Sequence, residues 1–489
     1  MSEARLESDG FFDRTLGNLK SAWRDVASGA ARTLGLAPAA DSSDPQTLER
    51  LMAECLEARG GEVSARLRAA ELGEAYLERD AEGRRQFLEI LARSFAADDR
   101  AIEDAIIAYR AADDLKGRLV GHHQLRRSLQ PPRVKLLTQF NALPEGVKFL
   151  VDLRADLLPH LSEDPHLRDL DRDLRELLTS WFDLGFLDLR RITWDSPASL
   201  LEKLIAYEAV HEISSWEDLR NRLDSDRCLF ALFHPRMPEE PLAFVEVALV
   251  QGLAANVQTL LDVSHPTGDP AEADTAIFYS ISNTQKGLRG ISFGEFLIKR
   301  ATSWLGQEFP QLRSFATLSP IPGFRSWIEG HGIDVVPALL TEEERVGILE
   351  TTRADDTHKG IVELIKRPDW TADPNLVELL RAPLQRLCAR YFLERRDNGQ
   401  PVDPVARFHL KNGARLERIN WLGDSSANGL RQSCGMMVNY CYLPEEVEKN
   451  HEAFMSEGRL ALGTPVQALL RGWREPDGSP IVNRRQTKS

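Results

Sequence analysis

Between residues 51 and 186 the apolar residues recur at helical spacing. Such a pattern keeps apolar side chains on one face and predicts amphipathic helices packed together as a bundle. Asp164 followed by Pro165 is a typical N-cap and first-turn pair for one of these helices. The sequence therefore predicts an all-α helical bundle domain over residues 46–188, with three apolar stripes: Phe87, Leu88, Leu91 and Phe95; Ile102, Ile106 and Tyr109; and Leu167, Leu170, Leu174, Leu177 and Trp181.

The pattern changes near residue 190, where short β-rich runs join the helical ones. These runs predict an α+β domain with a mixed central sheet over residues 189–473. Residues 1–45 are predicted to be an N-terminal segment with a flexible linker, and residues 474–489 a disordered tail. The predicted order in the second domain is helices near 200–207 and 216–223, strands at 228–233 and 242–250 around a turn at 235–241, and a strand at 276–281.

The segment from 277 to 324 carries the strongest functional signal. Its strand leads into a polar, glycine-bearing loop and then into a helix that begins near Ser292. Helix N-termini and glycine loops accommodate anions, because unpaired N–H groups and close backbone approach favour negative charge. The alternative is a purely structural loop with solvated basic side chains. Candidate anion-binding residues are Ser282, Asn283, Gln285, Lys286, Gly287, Arg289, Gly290 and Lys299.

Three further side chains could carry chemistry. Ser319 follows a short strand and precedes a rigid Pro-Ile-Pro-Gly turn, so it either holds a hydroxyl at a fixed position or caps the next helix. His409, ahead of an Asn-Gly helix stop, is either a buried structural histidine or a catalyst. Tyr440 and Tyr442 share one face of a closing strand, and period alone does not choose between them.

Several segments in series resemble the malonyl-CoA decarboxylase family: RITWDSPA, EAVH, FYSISNTQKGL, FLIKR, TLSPIPGF, RFHLKNGA and SCGMMVNYCY. The resemblance spans about residues 190–445. It implies a GNAT acetyltransferase-like catalytic domain preceded by a helical oligomerisation domain. It also implies Ser319, His409 and Tyr442 as catalytic residues. Where the family has a functional glutamate this chain has Ser292, so either Glu295, one helical turn on, replaces that glutamate or its role is absent here.

The resemblance further implies decarboxylation of malonyl-CoA to acetyl-CoA and CO₂ through a thioester enolate, which a Ser319 and His409 pair protonates. Whether Ser319 is first acylated stays open. The expected partner is the substrate malonyl-CoA, with no cofactor and no metal, since the CoA thioester is the substrate. Two alternatives are a GNAT-type acyltransferase that uses an amine acceptor, and a non-catalytic acyl-CoA-binding scaffold.

Composition and charge argue against several classes of partner and location. A net charge of −14 argues against nucleic acid as a partner. The five scattered cysteines lack Cys-x-x-Cys pairing, which favours reduced thiols. No apolar run approaches the roughly 18 residues of a membrane span, and the acidic N-terminus and the Thr-Lys-Ser end match no targeting signal. We expect a cytoplasmic homo-oligomer, by family resemblance a tetramer, and a solvated loop at His122 and His123.

Overall fold

The computed structural model describes residues 23, 44–57, 62–332 and 335–473. The predicted tail and most of the predicted N-terminal segment and linker lie outside this part of the chain. The helices of the first domain are α1 (Pro45–Glu57), α2 (Glu62–Leu77), α3 (Ala81–Ser94), α4 (Asp99–Ala111), α5 (Leu115–Ser128), α6 (Pro132–Asn141), α7 (Gly146–Leu157) and α8 (Pro165–Trp181).

Two of the three predicted stripes form the core of this domain. On α3 the side chains of Phe87, Leu88 and Leu91 are buried, and on α8 every leucine at the predicted period is buried except the half-buried Leu177. Asp164 caps α8 as predicted, because its carboxylate accepts the backbone N–H of His166 at 2.8 Å. The all-helical character of the first domain is therefore confirmed.

The stripe on α4 behaves differently. Helices α4 and α5 form a hairpin, and neither Ile102 nor Tyr109 is fully buried. Their outer surface exposes large apolar side chains, among them Ile107 at 62%, Leu115 at 75% and Val120 at 60%. Helical period identifies an apolar face but not what covers it, so the expectation that this stripe packs into the bundle core is wrong.

The same hairpin corrects one further expectation. His122 and His123, predicted to lie in a loop, belong to α5, although both are exposed as expected.

The second domain is built on a mixed sheet. Its strands are β1 (Asp188–Ile192), β2 (Arg227–His234), β3 (Met237–Val250), β4 (Thr275–Asn283), β5 (Ser314–Thr317), β6 (Ser319–Pro320), β7 (Arg415–Asn420) and β8 (Met437–Tyr442). They run in the order β1-β2-β3-β4-β5-β8-β6, with β7 also paired to β8. All pairs are antiparallel except β4 with β5. This helical domain followed by a mixed-sheet domain is the predicted α+β architecture.

Helices cover the sheet and complete the domain. They are α9 (Ala198–Tyr207), α10 (Trp216–Arg222), α11 (Val257–Leu261), α12 (Gly294–Glu308), α13 (Phe324–His331), α14 (Glu342–Thr352), α15 (Thr357–Lys366), α16 (Pro374–Tyr391), α17 (Pro404–Lys411), α18 (Ala427–Ser433), α19 (Val447–Glu457) and α20 (Thr464–Leu470). The string Thr-Glu-Glu-Glu-Arg at 341–345 predicts a helix start by its acidic first turn, and α14 begins there with a capping box. Strand β1 and helix α11 were not predicted, and the predicted turn at 235–241 is too long, because β3 already begins at Met237.

One apolar core runs through both domains. Its members come from α1 to α3 and α6 to α8, from one face of the sheet and from α12 and the helices after it. Phe182, at the end of α8, meets Phe293, at the start of α12, with ring centroids 6.1 Å apart. The opposite face of the sheet packs on α9 and α10 in one cluster and on α11 in another. The helical domain is thus fused to the α12 side of the sheet.

The pairing of strand β4 with its two neighbours is interrupted near Phe278 and Tyr279. Against β3, Glu246 pairs with Ser280 and Val247 with Phe278, so Tyr279 forms a β-bulge. Against β5, the parallel ladder covers only Thr275 to Phe278. Beyond Phe278, β4 continues to Asn283 without pairing to β5 and leads into the segment before α12.

All five cysteine thiols are free and buried, and the sequence predicts reduced thiols. Among the described residues no group of histidine, cysteine and carboxylate side chains could hold a metal ion. Within the same part of the chain, no helix has the length and apolar character needed to cross a bilayer.

Candidate functional site

Ser319, His409 and Tyr442 meet in one chain of polar contacts. Ser319 lies where β5 passes into β6, His409 in the last turn of α17, and Tyr442 at the end of β8. Ser319 Oγ lies 3.4 Å from His409 Nε2, and His409 Nδ1 lies 2.8 Å from the Tyr442 hydroxyl. All three side chains are buried. Residues 90 and 33 positions apart in sequence are therefore joined through the two nitrogens of a single imidazole.

Thr317 fixes the direction of this chain. The Ser319 hydroxyl donates to Thr317 Oγ1 at 2.8 Å, and the backbone N–H of Tyr440 donates to the same oxygen at 3.2 Å. With the Ser319 proton directed at Thr317, the serine oxygen presents a lone pair to His409 Nε2. The chain is continuous when His409 carries its proton on Nε2 and accepts the Tyr442 hydroxyl proton at Nδ1.

The imidazole of His409 is buried against two aromatic rings. It stacks on Tyr440 with ring centroids 4.6 Å apart and meets Phe408 edge-on at 4.9 Å. Burial lowers the pKa of His409 to about 3, because a charged imidazolium would be desolvated there. The ring is therefore neutral at physiological pH and lies between two hydrogen-bond partners, Ser319 and Tyr442.

Ser319 does not cap a helix. Helix α13 has Gly323 at its N-cap and no side-chain cap, whereas Ser319 pairs with Val438 of β8. Of the two interpretations that the sequence left open, the structure selects the one in which a rigid turn presents the hydroxyl. Likewise, both tyrosines of β8 reach His409, Tyr440 by stacking and Tyr442 by hydrogen bonding, which confirms that they share one face.

A cavity of about 290 Å³ is lined by Tyr442 but not by His409 or Ser319. Burial raises the pKa of the Tyr442 hydroxyl, and the nearby Glu295 carboxylate raises it further, so the phenol stays protonated. The cavity lies between α12, the end of α17 and the start of α19, and is lined by Glu295, Ile298, Lys299, Thr302, Ser303, Asn412, Tyr442, Pro444 and Val447.

The two residues considered for the glutamate position lie in different surroundings. Ser292 is exposed in the segment that precedes α12. Glu295, in the first turn of α12, lines the cavity beside Tyr442 and pairs with Lys299 at 2.9 Å. A carboxylate is thus present near the tyrosine, and Lys299 neutralises it at the cavity mouth.

The loop between β4 and α12 presents its basic side chains to solvent. Lys286 lies in a short 3-10 turn and Arg289 follows that turn, and both are exposed together with Asn283. Gly290 has a φ of +86°, the left-handed conformation that glycine adopts most easily. Phe293, at the N-cap of α12, has no side-chain acceptor for the first N–H groups of the helix. The loop before α12 is therefore exposed and cationic, whereas Phe293 and Gly294 at the start of the helix are buried.

Two candidate loop residues point inward. Ser282 donates to Glu208 at 3.0 Å and accepts the Ala209 N–H at 3.3 Å. Gln285 donates to the Pro241 carbonyl at 3.1 Å. Both side chains are buried, so they hold the loop to its neighbours and do not face solvent beside Lys286 and Arg289.

Residues of the helical domain contact the loop between β4 and α12 and hold its backbone in place. Arg154 of α7 donates to the carbonyls of Gly287 at 2.6 Å and Arg289 at 2.9 Å, while its Nε donates to Asp171 at 2.7 Å. A Cβ on Gly287 would lie 1.7 Å from the Val151 carbonyl oxygen. The loop conformation therefore depends on a guanidinium and a close backbone contact supplied by the first domain.

Sequence reasoning missed Thr317, Asn412 and Arg154. Thr317 lies two residues before Ser319 and Asn412 three residues after His409, spacings that bring side chains together on a strand and on a helix. Those spacings were a usable signal. Arg154 had none, because the two loop carbonyls that it holds lie more than 130 positions away.

Comparison with known proteins accords with this architecture. A family model described as the malonyl-CoA decarboxylase C-terminal domain matches residues 185–478, and the model of the N-terminal domain matches residues 95–182. The chain is 38% identical over 427 residues to a mitochondrial malonyl-CoA decarboxylase from Anser anser anser, covering 84% of each protein. It is 38% identical over 366 residues to one from Rattus norvegicus, covering 72% of this chain and 74% of that protein.

Solved structures give the same result. A malonyl-CoA decarboxylase from Rhodopseudomonas palustris is 41% identical and superposes with a TM-score of 0.78, over 87% of this chain and 99% of that one. One from Agrobacterium vitis is 42% identical with a TM-score of 0.78, over 86% of this chain and 99% of that one. The matches cover both domains, and the chain belongs to the malonyl-CoA decarboxylase family.

Proposed function

We propose that this protein is a carboxy-lyase that converts malonyl-CoA to acetyl-CoA and CO₂. The observation that carries the proposal is the buried chain Ser319, His409 and Tyr442, built at the point where β4 and β5 part and beside a cationic loop. Decarboxylation of a malonyl thioester requires an oxyanion to be stabilised and a carbon to be protonated. A buried serine and histidine pair beside backbone donors can meet both needs.

The reaction proceeds through an enolate. The bond between the malonyl methylene and its carboxylate breaks, CO₂ leaves, and the electron pair delocalises onto the thioester oxygen. A carboxylate held perpendicular to the thioester plane allows this overlap. Backbone N–H groups of β4 near the Tyr279 bulge are the candidate donors to the oxygen, and each preorganised donor contributes about 3 kcal/mol.

Ser319 and His409 then deliver the proton to carbon. In our assignment they also contact the malonyl carboxylate, and Tyr442 orients the imidazole through Nδ1. The Ser319 hydroxyl donates to Thr317 and presents its lone pair to His409, an arrangement that favours direct decarboxylation over prior acylation of the serine. None of these steps requires a metal or an organic cofactor, and we propose that the enzyme uses none.

The exposed loop between β4 and α12 is our candidate site for the CoA phosphates. Lys286, Arg289 and the first N–H groups of α12 supply positive charge and donors, as anion sites at helix N-termini do. Ser282, Gln285, Gly287 and Gly290 act as the frame that shapes this loop. Lys299, paired with Glu295, lies at the cavity and further from the phosphates in this assignment.

Arg154→Lys tests the role of the first domain in this loop. Lysine keeps the charge but cannot reproduce the fork that reaches Asp171 and two carbonyls at once. Losing hydrogen bonds to a charged donor predicts a rise of roughly tenfold in the Kd for CoA, measured by calorimetry, and in KM, with little change in kcat.

Arg93→Lys is the matched control for this variant. Arg93 belongs to the same domain but pairs at the surface with Asp164, so its replacement should leave both constants unchanged. A loss of kcat at unchanged Kd in Arg154→Lys would contradict the proposed role.

Product analysis tests the function itself. The enzyme is incubated with malonyl-CoA in the presence of EDTA and without an acceptor, and CO₂ and acetyl-CoA are quantified. We expect the two products in equal amounts. Consumption of malonyl-CoA only when an amine is supplied would indicate an acyltransferase instead. Binding of CoA without product would indicate an acyl-CoA-binding scaffold.

We further propose that the protein forms a homo-oligomer through its helical domain, with a tetramer as the expected form, and acts in the cytoplasm. The exposed apolar side chains of the α4–α5 hairpin support the association, since monomers rarely expose a contiguous apolar surface of this kind. The net charge of −14 supports the absence of a nucleic-acid partner.

A further inference from the structure

We propose that the cavity between α12, α17 and α19 is the proton entry of this enzyme. Through it, water re-protonates the relay by way of Thr302, Asn412 and the Tyr442 hydroxyl. This inference rests on the proposed decarboxylation and adds to it a route and two positioning residues, Thr302 and Asn412.

The chemistry requires such a route. Malonyl-CoA enters with its carboxylate ionised, and acetyl-CoA leaves with a new C–H bond. Each turnover therefore breaks one C–C bond, releases CO₂ and takes one proton from solvent. The proton passes to the enolate carbon from the Ser319 and His409 pair, which is buried. The neutral imidazole of His409 holds a single proton. Once the pair has given that proton to the substrate, another proton must reach it before the next turnover.

The two hydrogen-bond partners of His409 indicate from which side the proton is supplied. His409 has one nitrogen on Ser319 and the other on Tyr442, at 3.4 Å and 2.8 Å. When Nε2 gives up its proton toward the substrate, Nδ1 takes the Tyr442 hydroxyl proton. The phenol must then be reloaded from its other side. Because the phenol holds its proton tightly, transfer through it is concerted, and a donor must already be in place there.

Tyr442 lines the cavity, whereas His409 and Ser319 do not. Its volume of about 290 Å³ is enough for several water molecules. Among the described residues, two polar atoms in its lining are buried without a hydrogen-bond partner, Asn412 Nδ2 and Thr302 Oγ1. Asn412 is itself buried and lies against the Tyr442 hydroxyl, whose pKa it lowers against the larger effect of burial.

Unpartnered buried polar groups are costly, and a water bound between polar groups of this kind satisfies them. Thr302 and Asn412 can each bind a water near the phenol, and the pair Glu295 and Lys299 stands at the exposed mouth. In this proposal water, which both donates and accepts hydrogen bonds, joins bulk solvent to the Tyr442 oxygen, and Thr302 and Asn412 hold it in place.

Thr302→Val and Asn412→Leu test the route. Each removes a polar group and nearly preserves side-chain volume, and we compare kcat, KM and the solvent deuterium isotope effect with those of the parent. We expect kcat to fall about tenfold, below the ~10²–10⁴-fold effect of a whole general acid. KM should stay constant and the isotope effect on kcat should increase. Exchange of the acetyl-CoA methyl protons with D₂O should slow in parallel.

Two controls separate this role from a structural one. Thr302→Ser keeps the hydroxyl and should restore kcat. Thr351→Val makes the same change on the surface of α14, where the hydroxyl bonds to the Gly347 carbonyl, and should have no effect.

Other outcomes overturn the proposal. A raised KM at constant kcat would mean that the cavity holds the substrate. A lowered kcat without a larger isotope effect, or no change in both variants, would exclude proton supply by this path. If the parent itself released no CO₂, the proposed function would fail first.

Discussion

Replacement of His409 by asparagine is expected to lower kcat for malonyl-CoA by about 10²–10⁴-fold, the usual contribution of a general acid or base. Asparagine fills part of the imidazole volume but cannot pass a proton from the Tyr442 side to the Ser319 side. Because the loop between β4 and α12 is untouched, the Kd for CoA should stay within experimental error. Steady-state kinetics and calorimetry on the same preparation measure both quantities.

His358→Asn provides the matched comparison. His358 is also a buried histidine of the second domain, but its Nε2 is hydrogen-bonded at 2.7 Å to the Ile328 carbonyl and lies outside the proposed site. Its replacement should lower thermal stability and leave kcat unchanged. If His409→Asn retained more than a tenth of the parental kcat, a proton relay through this residue would be untenable.

Arg222→Met is expected to cause the largest loss of stability, about 3–5 kcal/mol of unfolding free energy in urea titrations. The Arg222 guanidinium is 2% exposed and pairs with Glu246, which is fully buried, at 3.0 Å and with Asp218 at 2.8 Å. Burial raises the pKa of the Glu246 carboxyl, and Arg222 opposes that shift. Without the arginine, a carboxylate on β3 opposite the β4 bulge loses its compensating charge.

The double variant Arg222→Met with Glu246→Gln isolates that cause. If the uncompensated charge is responsible, removing it should recover a substantial part of the lost stability. Arg367→Met removes an exposed ion pair with Glu363 and should cost less than about 1 kcal/mol. A double variant no more stable than the single one would point to lost packing of the guanidinium instead.

Local patterns predicted much of this architecture because they act over one or two helical turns. The α8 stripe and its Asp164 cap, the capping box at Thr341 and the strand 314–317 all depend on neighbours in sequence. The α4 stripe shows the limit of this reasoning. Its period is as regular as the others, but burial depends on what another part of the chain, or another chain, brings to that face.

The candidate site, too, could be predicted from local sequence pattern only in part. Period and motif could identify a strand, a loop and a helix N-terminus, and could place the two tyrosines on one face. They could not choose between a structural and a catalytic His409, because that depends on contacts with Ser319 and Tyr442, 90 and 33 positions away. The family resemblance supplied that choice, and the structure supplied the atoms that connect the three residues.

Gly287 illustrates how a correct motif can have a second cause. In sequence it belongs to a glycine loop that would let a backbone approach a phosphate. In the structure its missing Cβ admits the Val151 carbonyl of α7, at a distance where no side chain fits. The residue is required for packing between domains, whatever the loop binds.

The contact of Arg154 with the loop has a consequence for how the chain could be shortened. A chain that began after α8 would keep every strand of the sheet and the three residues Ser319, His409 and Tyr442. It would lack the donor for the carbonyls of Gly287 and Arg289 and the surface on which Gly287 rests. Such a truncated protein would be a sheet domain with an unsupported loop. Because Arg154 donates to the backbone carbonyls of Gly287 and Arg289, side-chain changes at those two positions could not restore the lost support.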